Sequence, residues 1–165
     1  MRLVPLDLRH LEQTRIWAND PEIMRLMDRA ESVSVAEHEA WFFSLADRSD
    51  CLYFAIETTD AQLHVGNIWL FAIERRHRKA ELRVVIGEAA ARGRGYGSEA
   101  IDQLCQHAFA RVGLHRIYAY VLAINPGAQR SFERAGFALE GRLRDDRWSD
   151  GLFVDTYLLA RVSDT

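Results

Sequence analysis

The feature that most constrains the fold lies between residues 80 and 98, where a β-type apolar run passes through an arginine- and glycine-rich loop directly into a helical pattern. The loop contains Gly93, Gly95 and Gly97. The first N–H groups of a helix have no partner within the helix and point outward along its positive end, so this order of elements suits a bound phosphate. Glycine lets the backbone approach such a ligand closely. The segment therefore predicts a strand, a phosphate-binding turn and a helix in succession.

Two better-known glycine loops do not fit this segment. A Walker loop requires Lys and then Ser or Thr after its last glycine, but Gly97 is followed by Ser98 and Glu99. A Rossmann G-x-G-x-x-G pattern counted from Gly93 and Gly95 places Ser98 where the third glycine should stand, and no early βαβ unit surrounds it. The sequence thus argues against both a mononucleotide P-loop and a Rossmann dinucleotide site.

The spacing Arg92-x-x-Gly95-x-Gly97 resembles the pyrophosphate-binding motif of the GNAT superfamily of acetyl-CoA-dependent N-acetyltransferases. Downstream, residues 125–137 read Asn-Pro-Gly-Ala-Gln-Arg-Ser-Phe-Glu-Arg-Ala-Gly-Phe, which is similar to the second signature of that family, an Asn-led helix that ends in a Gly-Phe pair and packs along the coenzyme. Two ordered signatures are more specific than either alone. The likeness covers nearly the whole chain and is strongest over residues 66–157.

The resemblance implies acetyl-CoA as co-substrate and the GNAT fold. That fold is of the α/β (α+β) class, with a mixed, twisted central sheet of about 6–7 strands flanked by about four helices. The sheet splays between its two central strands, and acetyl-CoA enters the gap. We expect one GNAT domain over residues 1–165, because 165 residues with 48% hydrophobic content can bury one good core.

Composition and charge exclude several other functions. The formal net charge of −3 predicts no general affinity for nucleic acid. Cys51 and Cys105 lie far apart in apolar runs and are interpreted as buried, reduced thiols, while the six histidines have no ligand-like spacing, so no metal site is expected. No secretory leader follows Met1 and no apolar run approaches ~18 residues, so we expect a cytoplasmic protein that does not associate with membranes.

Periodicity and capping signals divide the chain into alternating elements. Ser34-Val-Ala-Glu37 is a capping box, and the helix that it starts should run to about Ala46 with an apolar face of Trp41, Phe42 and Leu45. Three consecutive strands favour an antiparallel meander, and the strand–helix–strand order that follows favours parallel pairing. The predicted strands are 3–6, 53–57, 64–73, 80–86, 116–122, 137–143 and 152–160, and the other helices are 8–18, 22–27, the segment from the glycine loop to 113, and 125–136.

The resemblance also implies which residues bind the coenzyme. Backbone groups of the strand before the loop would pair with the pantetheine arm and polarise the thioester carbonyl, while the loop and the Asn-led helix would hold the rest. The implied coenzyme-binding residues are Val84, Val85, Ile86, Arg92, Gly93, Arg94, Gly95, Tyr96, Gly97, Ser98, Asn125 and Arg130.

Direct attack of an amine on a thioester requires a neutral amine. An alkylamine has a reference pKa of about 10.4, so a base or a chain of waters must remove its proton. Glu81 is the candidate base, because its offset from Arg92 matches the glutamate that has this role in some family members. The alternative is a solvated strand glutamate that opposes Arg75 or Arg78.

The general acid departs from the family pattern. Many relatives place a Tyr in the Asn-led helix to protonate the leaving thiolate, and here that position is Phe132, which cannot donate a proton. A thiol has a reference pKa near 8.5, so the CoA thiolate needs only solvent or another hydroxyl. Ser131, Tyr118 and Tyr120 are the alternatives.

The acceptor is the most open question. The stretch Glu37-His-Glu-Ala-Trp41-Phe42 and other short segments resemble the branch that contains ribosomal-protein, spermidine and nucleotide-amino-sugar acetyltransferases. Trp41, Arg83 and Trp148 are the candidate substrate-binding residues, with a pocket of aromatic and arginine side chains expected near Trp41 and Trp148. The alternative is structural, with His38 and Trp41 packed on the core and Arg142, Arg144 and Trp148 on outward strand positions.

Three functional hypotheses remain open. The first is an N-acetyltransferase for a small primary amine, with a nucleotide-linked amino sugar preferred. The second is a protein N-terminal acetyltransferase of the ribosomal type, and the third is a non-catalytic acyl-CoA-binding module. A small-molecule amine or a protein N-terminus is therefore the expected partner, and a homodimer is a further possibility.

Overall fold

The protein is built on one seven-stranded sheet with the strand order β1-β2-β3-β4-β5-β7-β6. The computed structural model describes residues 1–164. The strands are β1 (Arg2–Pro5), β2 (Leu52–Glu57), β3 (His64–Glu74), β4 (Lys79–Ile86), β5 (Arg116–Leu122), β6 (Ala138–Ser149) and β7 (Leu152–Val162). The helices are α1 (Leu8–Ala18), α2 (Pro21–Leu26), α3 (Val35–Ser44), α4 (Tyr96–His107) and α5 (Pro126–Arg134), and a π-helical turn (Ala108–Val112) extends α4.

The sheet opens between β4 and β5. Strands β1 to β4 form the predicted antiparallel arrangement, and β5, β7 and β6 pair antiparallel in turn. The central β4 and β5 run parallel, as predicted, but pair only over Lys79–Glu81 and Arg116–Tyr118. Beyond Glu81 the two strands diverge, which leaves the β5 side of residues 82–86 free of strand partners. This opening is the splay that the fold requires.

The helix starts follow local hydrogen-bonding signals. The Ser34 hydroxyl accepts the Glu37 N–H at 3.3 Å and the Glu37 carboxylate accepts the Ser34 N–H at 2.9 Å, which confirms the predicted capping box. The Asn125 side-chain oxygen accepts the Ala128 N–H at 3.0 Å at the start of α5, with Pro126 in the first helical position. These short-range contacts explain why both starts were predicted correctly.

Five helices flank the sheet, among them the predicted short α2, whose Ile23 N–H donates to the Asp20 carboxylate at 2.9 Å. One boundary of the predicted architecture needs correction. Strand β6 extends to Ser149 rather than to Leu143, with a register shift between Leu143 and Arg147. The polar run 144–147 does not break the strand, because β7 continues to pair with it across this bulge.

The two faces of β4 have different surroundings. Ala80 and Leu82 belong to the buried cluster that includes Ile101 and Leu104 of α4. Side chains alternate along a strand, so the odd-numbered residues of β4 point to the opposite face, toward α1, α2 and α3. The strand register places Trp69 of β3 beside Arg83 of β4. It also places Tyr53 of β2 beside Trp69 on the other side.

Buried Glu57 of β2 anchors both β1 and α1. Its carboxylate accepts hydrogen bonds from Arg2 Nη2 at 2.7 Å and from His10 Nε2 at 3.0 Å, and Arg9 lies 3.1 Å away. His10 Nδ1 accepts the Asp7 N–H, so the neutral ring carries its proton on Nε2 and donates it to Glu57. Burial alone would raise the pKa of Glu57, but the hydrogen bonds and the arginine charges together lower it.

None of the helices within residues 1–164 is long and apolar enough to cross a bilayer.

Candidate active site

The glycine loop forms one wall of a cavity of about 370 Å³, here called the loop cavity. The end of β4, the starts of α4 and α5, and helix α2 form the other walls. All the residues that the resemblance assigns to coenzyme binding line this cavity except Arg94, which is exposed outside it. Sequence reasoning missed several others: Ile23, Met27, Ala128, Ser131 and Arg134.

The backbone of the loop is shaped to accept a ligand at the start of α4. Gly93 and Gly95 have φ of +74° and +88°, in the left-handed region that favours glycine, and no atom lies within 4 Å of where a Cβ would be. Gly95 is the N-cap of α4, and no side chain caps the helix. The first N–H groups of α4 are therefore left for a partner from outside the helix, as an anionic group would be.

The Arg92 side chain supports the loop instead of pointing freely toward a ligand. Its Nε donates to the Ile86 carbonyl at 3.0 Å, its Nη2 reaches the Gly87 carbonyl at 3.4 Å, and its Nη1 pairs with the Glu22 carboxylate at 2.7 Å. Arg92 thereby joins the end of β4, the loop and α2. Although it lines the cavity, its guanidinium is already engaged with protein acceptors.

A second cavity of about 360 Å³, here called the aromatic cavity, lies on the opposite face of the sheet under α1, α2 and α3. The Tyr53 and Trp69 rings are stacked at 4.8 Å, and Trp41 meets Tyr53 edge-on at 5.1 Å. His38 lies 4.9 Å from Trp41. Of the predicted substrate residues, Trp41 and Arg83 line this cavity. The sequence analysis did not assign Tyr53 and Trp69 to the acceptor site. Both lie on predicted strands, where side chains alternate between the two faces of the sheet, and this alternation could have identified them.

The aromatic cavity has positively charged but no negatively charged side chains among its lining residues in the part of the chain that the structure describes. Arg83 is paired, because its Nε donates to Glu81 at 3.1 Å and its guanidinium lies 4.7 Å over the Phe71 ring. Arg29 also lines the cavity. Burial, with the charges of Arg15 and Arg29, lowers the pKa of His38, which favours the neutral imidazole.

Glu81 is a buried glutamate at the point where β4 and β5 diverge. Its relative exposure is 8%, and its partner is Arg83, so the alternative of a solvated residue opposite Arg75 or Arg78 is wrong. Burial raises the pKa of the Glu81 carboxyl, while the charge and hydrogen bond of Arg83 oppose this shift. The carboxylate lies opposite Tyr118 in the sheet and does not line either of the two cavities.

A narrow cleft of about 80 Å³ lies between the diverging strands and shares lining residues with both the loop cavity and the aromatic cavity. Met27 lines all three spaces, and Val84 lines the cleft and the loop cavity. Phe132 lines the cleft and packs edge-on against Phe137 at 5.0 Å. The position where many relatives have a tyrosine therefore faces the site, but without a hydroxyl.

The three alternative proton donors differ in their positions. The Ser131 hydroxyl donates to the Gly127 carbonyl at 3.0 Å within its own helix. Tyr118 is half-buried beside Glu81, and burial and that carboxylate's charge raise its pKa. Tyr120 lines the cleft and is 46% exposed. Of these three, Tyr120 lines the cleft and Ser131 lines the loop cavity, whereas Tyr118 lines neither.

The structure does not form the pocket expected between Trp41 and Trp148. Trp148 is 62% exposed near the tip of the β6–β7 hairpin and packs against Phe153 at 4.8 Å. Arg142 pairs with Asp155, and Arg144 is exposed. The register shift after Leu143 changes which side chains face the sheet, and Arg147 lines the cleft instead.

The cysteine prediction holds in part. Both cysteines are free, but only Cys105 is buried, and burial raises the pKa of its thiol to about 12. Cys51 is half-buried. Within residues 1–164, no group of three or more His, Cys, Asp or Glu side chains is arranged to hold a metal ion.

Comparison with known proteins agrees with this geometry. Residues 1–138 match the model of the acetyltransferase (GNAT) domain family. The chain is 30% identical over 102 residues to spermidine N(1)-acetyltransferase of Vibrio cholerae, a match that covers 62% of this chain and 58% of that enzyme, which is under two thirds of its length. It is also 31% identical to the uncharacterised N-acetyltransferase YoaA of Bacillus subtilis over 121 residues, 73% of this chain and 68% of the relative.

The fold also matches a solved structure. The crystal structure of spermidine N-acetyltransferase from Vibrio cholerae with CoA and spermine superposes with a TM-score of 0.91 at 24% identity, covering 98% of this chain and 94% of that chain. At this identity the superposition establishes the fold. The family match spans most of the chain, and the splayed sheet and glycine loop are those that the resemblance implied. The chain therefore belongs to the GNAT acetyltransferase family.

Proposed function

We propose that this protein transfers the acetyl group of acetyl-CoA to a small primary amine. The observation that carries this proposal is the junction at Met27, where the loop cavity, the cleft and the aromatic cavity meet. One substrate can enter from each face of the sheet, and their reacting ends can meet between β4 and β5. Such positioning is a large part of catalysis for a two-substrate reaction.

The loop cavity fits the coenzyme. The uncapped start of α4 offers N–H groups to the diphosphate, and the open space beside Gly93 and Gly95 lets it approach the backbone. Acetyl-CoA supplies the acetyl thioester. The unpaired edge of β4 at Val84 and Val85 leaves backbone groups free to bind the pantetheine arm and to stabilise the charge that develops on the carbonyl oxygen.

Glu81 is proposed to accept the proton of the attacking amine through a water molecule, because its carboxylate does not line the aromatic cavity. Its raised pKa brings the carboxylate closer to the operating pH of a general base. The base must be ionised, so the rate should fall as pH decreases through the pKa of Glu81.

Glu81→Gln tests this role. We expect a loss of about 10²-fold in kcat, with acetyl-CoA affinity unchanged and the acidic limb of the pH–rate profile removed. Glu74→Gln, an exposed glutamate on neighbouring β3, is the matched control and should keep the wild-type rate. An unchanged rate for Glu81→Gln at saturating amine would exclude this residue from the mechanism.

The shape of the aromatic cavity favours a small acceptor. Helices α1, α2 and α3 and the segment 27–33 cover the sheet face, so the cavity is bounded on several sides. A peptide N-terminus of the ribosomal type would need a more open groove. Stacked rings suit the apolar face of a sugar or a base, which supports a nucleotide-linked amino sugar as the preferred acceptor.

The decisive experiment measures CoA thiol release with acetyl-CoA across a panel of polyamines, amino sugars, amino-sugar nucleotides and N-terminal peptides. Turnover with a small amine supports the proposal, and turnover confined to peptides favours the protein N-terminal alternative. Coenzyme binding by calorimetry without thiol release for any amine would favour the non-catalytic module, for which Phe132 is the supporting feature.

A further inference from the structure

The charge balance of the aromatic cavity points to a particular class of acceptor. Its wall contains Arg29 and Arg83 and no carboxylate among the described residues. We propose that Arg29 binds an anionic group, a carboxylate or a phosphate, on the acceptor, so that the enzyme prefers amines carrying such a group over polyamines. This inference rests on the proposed function.

Arg29 differs from Arg83, the other arginine that lines the aromatic cavity, and from two paired arginines that line the neighbouring spaces. Arg83 pairs with Glu81, Arg92 with Glu22, and Arg147 with Asp28 at 2.8 Å. The Arg29 guanidinium has no hydrogen bond or ion pair with any residue in 1–164. An arginine with five free N–H donors can bind a carboxylate or phosphate through two parallel hydrogen bonds.

Arg29 lies close enough to the cavity to affect groups on two of its walls. Burial lowers the pKa of His38 of α3, and the charge of Arg29 adds to this shift; burial raises the pKa of Tyr53 of β2, and the charge of Arg29 opposes that rise. His38 is 5% exposed, and its Nδ1 is buried without a hydrogen-bond partner. The imidazole carries no negative charge, so none of the described side chains that line the cavity offsets the charge of Arg29.

A polyamine would bring a further positive charge close to Arg29. After one amine loses its proton, at least one more ammonium group remains, and no carboxylate of the described cavity wall could pair with it; Glu31 and Glu37 lie outside this wall, in an adjoining open pocket that Arg29 also lines. An anionic acceptor would instead gain a charge-assisted contact with Arg29 while its apolar part lies on Trp41 and Trp69. Aromatic rings can also hold an ammonium by cation–π attraction, so a polyamine belongs in the test.

Matched acceptors separate charge from shape. We would compare glucosamine with glucosamine 6-phosphate, and phenethylamine with 4-(2-aminoethyl)benzoate, and include spermidine, measuring kcat and KM for each. The wild type should prefer the anionic member of each pair by about 10- to 100-fold in kcat/KM, the range expected for one hydrogen-bonded charge pair. If the preference for the anionic member is larger in the glucosamine pair, phosphate is the favoured group. If it is larger in the phenethylamine pair, carboxylate is the favoured group.

Two variants test Arg29 itself, and a third variant is the control. Arg29→Gln should abolish the preference mainly through KM, and Arg29→Glu should reverse it in favour of spermidine. Arg25→Gln removes a charge from the neighbouring α2 outside the cavity lining and should retain the wild-type preference. Quenching of tryptophan fluorescence by each amine, measured without acetyl-CoA, gives the same ranking independently of turnover.

The outcomes distinguish this inference from the proposed function. Efficient acetylation of spermidine by the wild type, or an undiminished preference in Arg29→Gln, overturns the inference and leaves the acetyltransferase proposal standing. No thiol release with any amine, together with Arg29-dependent binding of the anionic amines, overturns the acetyltransferase proposal and supports the binding role of Arg29.

Discussion

Replacing Gly95 by aspartate tests whether the coenzyme diphosphate lies against the start of α4. Gly95 lines the loop cavity, and it has a φ of +88° and open space at the Cβ position, so a side chain there would meet no steric contact. The matched control is Gly95→Asn, which has nearly the same shape and the same backbone cost but no charge. The difference between the two variants therefore isolates the electrostatic contribution.

The magnitude follows from two separate costs. A non-glycine residue in the left-handed region costs about 1–2 kcal/mol, less for Asn and Asp, and this cost lowers the stability of both variants alike. For a carboxylate about 6 Å from one phosphate charge, an effective dielectric constant of about 20–80 gives a repulsion of about 0.7–2.8 kcal/mol. We therefore expect CoA to bind Gly95→Asp about 3- to 100-fold more weakly than Gly95→Asn.

Isothermal calorimetry with CoA at about 0.15 M salt measures this difference, and thermal unfolding without ligand checks that the two variants are equally folded. Raising the salt concentration should narrow the gap, because the interaction is exposed to solvent. Equal CoA affinities for the two variants at low salt would refute the placement of the diphosphate at this helix start.

Three other measurements test the packing and the buried polar groups. A Cβ at Gly87 would lie 2.0 Å from the Trp17 ring, so Gly87→Ala should destabilise the fold by about 1–3 kcal/mol, seen as a Tm lowered by about 2–4 °C per kcal/mol; an unchanged Tm would contradict this contact. Glu57→Gln should lower the free energy of unfolding by about 1–2 kcal/mol at pH 7. Because the pKa of Glu57 is lowered in the folded state, the difference between wild type and variant should shrink as pH falls through that pKa. A difference that stays constant from pH 7 to pH 3 would contradict the role of the ionised form. A thiol reagent should label Cys51 in the native protein and spare Cys105, whose pKa is raised to about 12, until denaturant is added, so labelling of both at the same rate would contradict the buried position of Cys105.

The lining of the loop cavity was more predictable than that of the aromatic cavity. The loop residues are consecutive in sequence, and the shape of the loop depends on local backbone geometry such as that of Gly93 and Gly95. Trp148 was a candidate for the acceptor pocket because the segments around it resemble one branch of the family, and in the structure it lies just beyond the bulge in β6 and is 62% exposed. A bulge depends on pairing with β7, and no short window of sequence contains that information.

The amino-acid sequence by itself determined the features that depend on near neighbours: the caps at Ser34 and Asn125, the glycine turn before α4, and the order of strands and helices. Tertiary structure alone decided which side chains share a cavity. Tyr53, Trp69 and Arg83 meet because strand register aligns them and side-chain alternation turns them to one face. Likewise, Arg92 pairs with Glu22, 70 residues away, while Arg29 is left without a partner, because long-range packing determines which carboxylates come within reach of each guanidinium.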